Sequence, residues 1–146
     1  MKNRVEVMHG VNLDMLERRD PSIYGGLSLT ELEVRIRGFG RELGLDTTFS
    51  QTNHEGEFCE LLHRAPEMAD GLILNPGAWT HYSYAIRDAL DVSGLPAIEV
   101  HLSAIDDREE WRARSVIRDL CAGVVSGRGP DGYREALEIL RAELGS

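Results

Sequence analysis

An apolar run that stops abruptly in Asn-Pro-Gly restricts the fold of this chain more than any other feature. Residues 72–84 read Leu-Ile-Leu-Asn-Pro-Gly-Ala-Trp-Thr-His-Tyr-Ser-Tyr. A short aliphatic stretch closed by turn residues, with a helix start beyond it, describes a buried parallel strand rather than an amphipathic one. Two other segments share the habit. Residues 5–8 run into His9-Gly10-Val11-Asn12, and residues 97–100 run into His101-Leu102-Ser103. Parallel α/β sheets bind ligands outside the carboxyl ends of their strands. Polar side chains at three strand ends therefore predict a crevice along one sheet edge.

The rest of the chain alternates strand and helix five times. Ser28-Leu-Thr-Glu31 has the form of a capping box. A helical stripe of Leu29, Leu32, Ile36, Phe39 and Leu43 follows, with Gly44 as its stop. Residues 45–50 read as a second strand and 57–65 as a helix with Phe58, Leu61 and Leu62 inward. Residues 72–74 form the third strand. Thr80 is a candidate cap for a helix ending near Gly94. Residues 96–101 form the fourth strand, 108–112 a short helix and 121–126 the fifth strand. Tyr133, Leu137, Leu140 and Leu144 mark a final amphipathic helix. Such alternation argues for a parallel sheet covered on both faces. Residues 10–27 are the longest irregular stretch and hold Arg18, Arg19, Pro21 and Tyr24, which suits a functional lid.

At 146 residues the chain is expected to be one domain, 1–146, with its own core. No run of 18 apolar residues spans a membrane, and the early first strand leaves no room for a signal peptide. The net charge of −9 disfavours nucleic acid as a partner. Two cysteines, Cys59 and Cys121, make no disulfide framework, so the cytoplasm is the default location. Lys2 is the only lysine. It sits at the start of the chain, where a desolvated Schiff-base amine is not expected. The five histidines show no HExxH spacing, no CxxC pair occurs, and no GxGxxG follows a strand, so no metal or cofactor is expected.

Glu99 and His101 lie two apart on a strand and share a face. A carboxylate beside an imidazole favours the imidazolium and fixes the ring, as a general acid requires; a satisfied core pair is the other reading. Arg19 and Tyr24 share the lid. A guanidinium beside a phenol favours phenolate, the form a base needs, whereas a solvated arginine beside a rim tyrosine is the bland reading. Asn12 and Asn75 at two strand ends offer amides to a ligand or to their own turns. Arg108, Arg112 and Arg114 form a cationic stretch that reads by itself as a solvated face. Backbone near Leu102 and Ser103 offers amides to a carboxylate.

Taken together, the segments Gly10-Val-Asn-Leu, Arg19-Asp-Pro-Ser-Ile-Tyr-Gly25, Gln51-Thr-Asn-His-Glu-Gly-Glu57, Asn75-Pro-Gly-Ala-Trp-Thr-His81, Ala85-Ile-Arg-Asp-Ala-Leu90, Glu99-Val-His-Leu-Ser103 and Arg108-Glu-Glu-Trp-Arg112 resemble type II 3-dehydroquinate dehydratase. The resemblance runs nearly end to end. It implies a flavodoxin-like three-layer α/β sandwich with a five-stranded parallel sheet of order 2-1-3-4-5. It implies a dodecamer built as a tetramer of trimers, and dehydration of 3-dehydroquinate to 3-dehydroshikimate in the shikimate pathway without metal or cofactor. On this chain it makes Tyr24 the base, Arg19 its partner, Asn12 an enolate stabiliser through water, and His101 the acid held by Glu99. Asn75, His81 and Arg112 would bind ring hydroxyls, backbone at Leu102 and Ser103 the carboxylate, and Asp88 would serve a neighbouring subunit's site. Val11, Glu17, Arg114 and Arg118-Asp119 depart from the family's usual proline, glycine, histidine and Ser-Pro. Those departures motivate the alternative of a non-catalytic or regulatory relative that binds a related cyclic hydroxy acid.

Overall fold

The computed structural model describes residues 1–105 and 108–145. Five parallel strands make one sheet of order β2-β1-β3-β4-β5, as the resemblance implies. They are β1 (Arg4–His9), β2 (Asp46–Gln51), β3 (Gly71–Asn75), β4 (Ala97–His101) and β5 (Gly123–Ser126). β3 and β4 are buried at every position, whereas the edge strand β2 is half-exposed. The register sets His9 beside Asn75, and Leu74 beside Glu99. Strand ends bearing polar groups therefore meet at one edge.

Helices cover both faces. On one side α2 (Leu29–Glu42) and α6 (Gly132–Leu144) bury Leu32, Ile36, Tyr133, Leu137 and Leu140 against Val5, Val7, Ile73 and Ile98. On the other, α3 (Glu55–Met68) and α4 (Tyr84–Ser93) bury Phe58, Leu62, Ile86 and Leu90 against Met8, Leu72 and Leu74. Alternate residues of each strand face opposite layers, so one strand serves both cores. A fully buried aliphatic side chain contributes ~1.5–3 kcal/mol. Two such layers leave the strand ends little freedom to move.

Local chemistry explains where the elements begin and end. The capping box is present: Ser28 Oγ accepts from the Glu31 N–H at 3.1 Å, and Glu31 accepts from the Ser28 N–H at 3.0 Å. Gly44 follows α2 with φ +75°, a left-handed turn that glycine adopts without cost. Thr80 is not the cap of α4. Ser83 is, accepting from the Ile86 N–H at 3.1 Å. Thr80 lies in a 3₁₀ turn, Gly77–His81, and is wholly buried. Helix α3 begins two residues earlier than the apolar stripe implies, because its first turn is polar and solvent-facing.

Residues 10–27 are more ordered than their composition suggests. A 3₁₀ stretch, Leu13–Arg18, buries Leu13 and Leu16, three residues apart. Helix α1 (Pro21–Tyr24) follows, with Pro21 at its first position and Asp20 accepting from the Ser22 N–H at 2.9 Å. Helix α5 (Glu110–Ala113) brings Arg112 to the crevice. Among the described residues no helix is long and apolar enough to cross a membrane.

Candidate active site

The strand-end edge opens into a crevice. Asn12, Arg19, Tyr24, Asn75, His81, His101, Leu102, Ser103 and Arg112 all line it. Glu99 sits behind His101 and is wholly buried. Asp88 is exposed on α4 and does not line this chain's crevice.

One wall is built on β4. Glu99 and His101 point to the same side of the strand, and Glu99 Oε2 is bonded to His101 Nε2. Two hydroxyls complete the carboxylate's surroundings. Thr80 donates to Oε2 at 2.7 Å and Ser115 donates to Oε1 at 2.9 Å. Burial alone pushes the Glu99 carboxyl above its usual range, but the bonds from His101, Thr80 and Ser115 outweigh it and leave it lowered. An unpaired buried carboxylate costs several kcal/mol. Each bond to a charged group returns about 1.5–3 kcal/mol, so three donors reverse the sign. Glu99 is thus a stable anion, and the ring nitrogen of His101 left for a ligand is Nδ1.

His81 stands beside this pair, its ring centroid 6.5 Å from that of His101. Its Nδ1 donates to the Arg114 carbonyl at 2.6 Å, which leaves Nε2 as an acceptor. Burial lowers the His81 pKa, and the nearby His101 and Arg112 add to the effect. Arg114 contributes only its backbone here; its side chain is exposed and reaches Glu110 at 3.6 Å. Asp119, another departure from the family pattern, pairs with Arg87 of α4 at 3.0 Å. Arg87 also donates to the Val116 carbonyl at 2.8 Å, so the segment bearing Ser115 is tied to α4.

The opposite wall is the lid. Arg19 donates to the Tyr24 hydroxyl at 2.5 Å, with its guanidinium 4.2 Å from the ring centre. Arg108 donates to the same oxygen at 2.6 Å. Sequence reasoning placed Arg108 on a solvated face and missed this contact; its only signal was membership of a cationic cluster. Arg18 is exposed and makes no bond to Tyr24. Glu17 forms no ion pair with Arg18 or Arg19 among the described residues.

The floor carries two amides. Asn12 is the one non-glycine residue with positive φ, +70°, among those described. Asparagine tolerates that left-handed region better than most residues. Its N–H is held by Asn53 Oδ1 at 2.8 Å, and Asn53 in turn donates to Asp14 at 3.1 Å. Asn75 accepts from the Gly77 N–H at 3.3 Å and donates to Tyr133 at 3.1 Å. The loops after β1 and β3 interlock tightly. A Cβ on Gly10 would lie 2.2 Å from the Pro76 carbonyl oxygen, and one on Gly77 would lie 2.6 Å from that of Val11. The turn after β4 is fastened too: the Leu102 and Ser103 carbonyls accept from Gly129 and Gly127 at 3.2 and 3.0 Å. No cluster of three or more potential metal ligands occurs among the described residues.

A cation-held phenol facing a carboxylate-held imidazole, on the strand-end edge of a flavodoxin-like sheet, defines an acid–base site of the α/β class. Comparison with known proteins narrows the class. The chain belongs to the dehydroquinase class II family, whose model matches residues 3–141. It is 46% identical over 143 residues to the 3-dehydroquinate dehydratase of Pelotomaculum thermopropionicum, covering 98% of this chain and 99% of that one. The type II dehydroquinase of Propionibacterium acnes superposes with a TM-score of 0.90 at 41% identity, covering 97% and 98% of the two chains. That of Butyrivibrio crossotus gives 0.90 at 38% identity over 99% of each.

Proposed function

We propose that this protein dehydrates 3-dehydroquinate to 3-dehydroshikimate, a step of the shikimate pathway, by acid–base catalysis through an enolate. The observation that carries the reading is the pairing of Tyr24, under two guanidiniums, with the Glu99–His101 couple across one crevice. Two like charges converging on one neutral oxygen repel each other. At ~4 Å and an effective dielectric near 20 each unit pair is worth ~4 kcal/mol, so negative charge on that oxygen turns two repelling cations into a stabilising clamp. Tyr24 as phenolate takes the proton at C2, next to the ketone. Asn12, through a water, stabilises the resulting enolate. His101, held by Glu99, gives its proton to the departing hydroxyl.

Substrate is held by complementary polarity. Asn75, His81 and Arg112 meet the ring hydroxyls, and backbone at Leu102 and Ser103 meets the carboxylate. A positioned acid or base supplies ~10²–10⁴-fold. Oxyanion stabilisation in a dry site often adds more. Asp88, exposed on α4, completes a neighbouring subunit's crevice in a dodecamer of four trimers, each subunit a single domain. The two unpaired thiols, Cys59 and Cys121, suit a cytoplasmic setting.

The test is direct. Purified protein given 3-dehydroquinate in excess EDTA should produce the ultraviolet absorbance of a conjugated enone. Absence of turnover would overturn the reading and favour a binding-only relative. Light scattering should report the mass of about twelve chains; a fully active monomer would remove Asp88 from the site.

A further inference from the structure

None of the steps above uses His9 or Tyr133, yet both meet the floor of the crevice. His9 ends β1, Asn75 ends β3 beside it, and Tyr133 enters from the first turn of α6. Asn75 Nδ2 donates to the Tyr133 hydroxyl at 3.1 Å, and that hydroxyl lies 2.9 Å from His9 Nε2. His9 and Tyr133 are 0% exposed and Asn75 5%.

Counting protons orders this chain. The Gly77 N–H bonds Asn75 Oδ1, so Nδ2 must face Tyr133. The phenol oxygen accepts there, and its own proton then has His9 Nε2 as its acceptor. His9 is therefore neutral, with its proton on Nδ1. The other tautomer would aim two donors at the phenol oxygen. Nδ1 meets no partner in either tautomer, but the other one would also strand the phenol's own hydrogen. It orphans more buried groups and is disfavoured. Burial lowers the His9 pKa to about 4, so the ring stays neutral at ordinary pH. Burial also raises that of Tyr133, against the bond from Asn75, so it stays a phenol.

We infer that His9 and Tyr133 are positioning residues that lock the side-chain amide of Asn75, and so decide which edge of that amide reads the substrate ring. A flipped Asn75 would set its oxygen against a phenol oxygen whose proton is committed to His9. It would also set its NH₂ against the Gly77 N–H. Both contacts are repulsive, so the orientation is held from two sides. Asn75 thus arrives at the crevice with one Nδ2 hydrogen and one Oδ1 lone pair unspent, in a fixed arrangement. The inference rests on the reading that Asn75 meets a ring hydroxyl.

Tyr133→Phe tests it, because it deletes only the hydroxyl. KM for 3-dehydroquinate should rise about tenfold, the loss of one well-made hydrogen bond, with kcat within about threefold. His9→Phe keeps a buried ring but removes the acceptor, and should raise KM in the same way. Asn75→Ala should raise KM too, and adding Tyr133→Phe to it should cost nothing further, since the pair acts as one unit. Independent, multiplying effects would mean that Tyr133 acts by packing alone, and would overturn the inference. A normal KM in both Tyr133→Phe and His9→Phe, with Asn75→Ala impaired, would overturn it while leaving the site reading intact. A normal KM in Asn75→Ala would remove Asn75 from substrate binding, and the inference with it.

Discussion

The two walls of the crevice are made in opposite ways. The wall proposed to carry the acid is a strand end: Glu99 and His101 are two residues apart and almost fully buried, and Glu99 is bonded to Thr80 and Ser115 from two other segments. The wall proposed to carry the base is a lid of short turns: Tyr24 is half-buried, and its hydroxyl accepts from both Arg19 and Arg108. Pre-formed, water-excluded bonds keep their strength without rearrangement. Partly exposed arginines are weakened by solvent and salt. The proposed acid is thus set in a dry, pre-formed frame, while the proposed base is held by two partly exposed guanidiniums.

The harshest way to break this comparison is at the acid itself. His101→Ala should cut dehydration by about 10³-fold while Tyr24 still removes the C2 proton. Proton NMR in deuterium oxide should then show C2 exchange outrunning product formation. Full dehydration in this variant would assign the acid to another group. At the lid, Arg19→Ala should lower kcat by about 10²-fold, and Arg18→Ala far less, because of these two neighbours Arg19 alone touches the phenol. Equal effects in steady-state kinetics would mean that the lid responds to net charge and not to a contact.

The buried floor also carries a pH signature. His9 binds a proton only near pH 4 when folded, but near 6.5 when unfolded. The unfolded chain therefore takes up more protons in between. The stability held by neutral His9 is complete above about pH 6.5 and is lost as pH falls towards 4, by about 2 kcal/mol at pH 5. Glu99, whose carboxyl is depressed, adds a further loss below its usual titration range. Urea unfolding at pH 7 and pH 5 should show a smaller drop in His9→Gln than in the parent, and an unchanged drop in Arg19→Ala. The mildest effects should come from single supporting bonds. Thr80→Val, Ser115→Ala and Arg108→Ala should each lower kcat about tenfold, the worth of one hydrogen bond to a charged group. Added salt should shrink the defect in Arg108→Ala, because it already weakens that guanidinium in the parent, and leave the other two unchanged, which would sharpen the contrast between walls.

Much of the acid wall was legible in the sequence, because strand pleating converts a spacing of two into a shared face. The capping box and the strand order along the chain were legible for similar local reasons. What escaped was contact between distant segments. Arg108 lies 84 residues from Tyr24 in sequence. Ser115 carries no sequence motif that singles it out. Thr80 had the residue type of a cap but sits in a 3₁₀ turn that aims its hydroxyl at Glu99, while Ser83 takes the cap. Tyr133 fell on an apolar stripe, and periodicity cannot reveal that its one polar atom bonds Asn75. Patterns report the face a residue occupies; they are silent on the atom it finds there.

The interlock of the loops after β1 and β3 has a consequence for anyone designing a ligand. With Gly10 pressed on the Pro76 carbonyl and Gly77 on that of Val11, neither loop can shift without displacing the other. The floor therefore behaves as a mould of fixed shape. A compound that fits it loosely gains little from the protein adapting beneath it. Extra bulk is better grown towards Tyr24 and Arg108, where short turns can re-form around a new shape. Resistance substitutions should follow the same division, absent at the two glycines and recurrent along the lid.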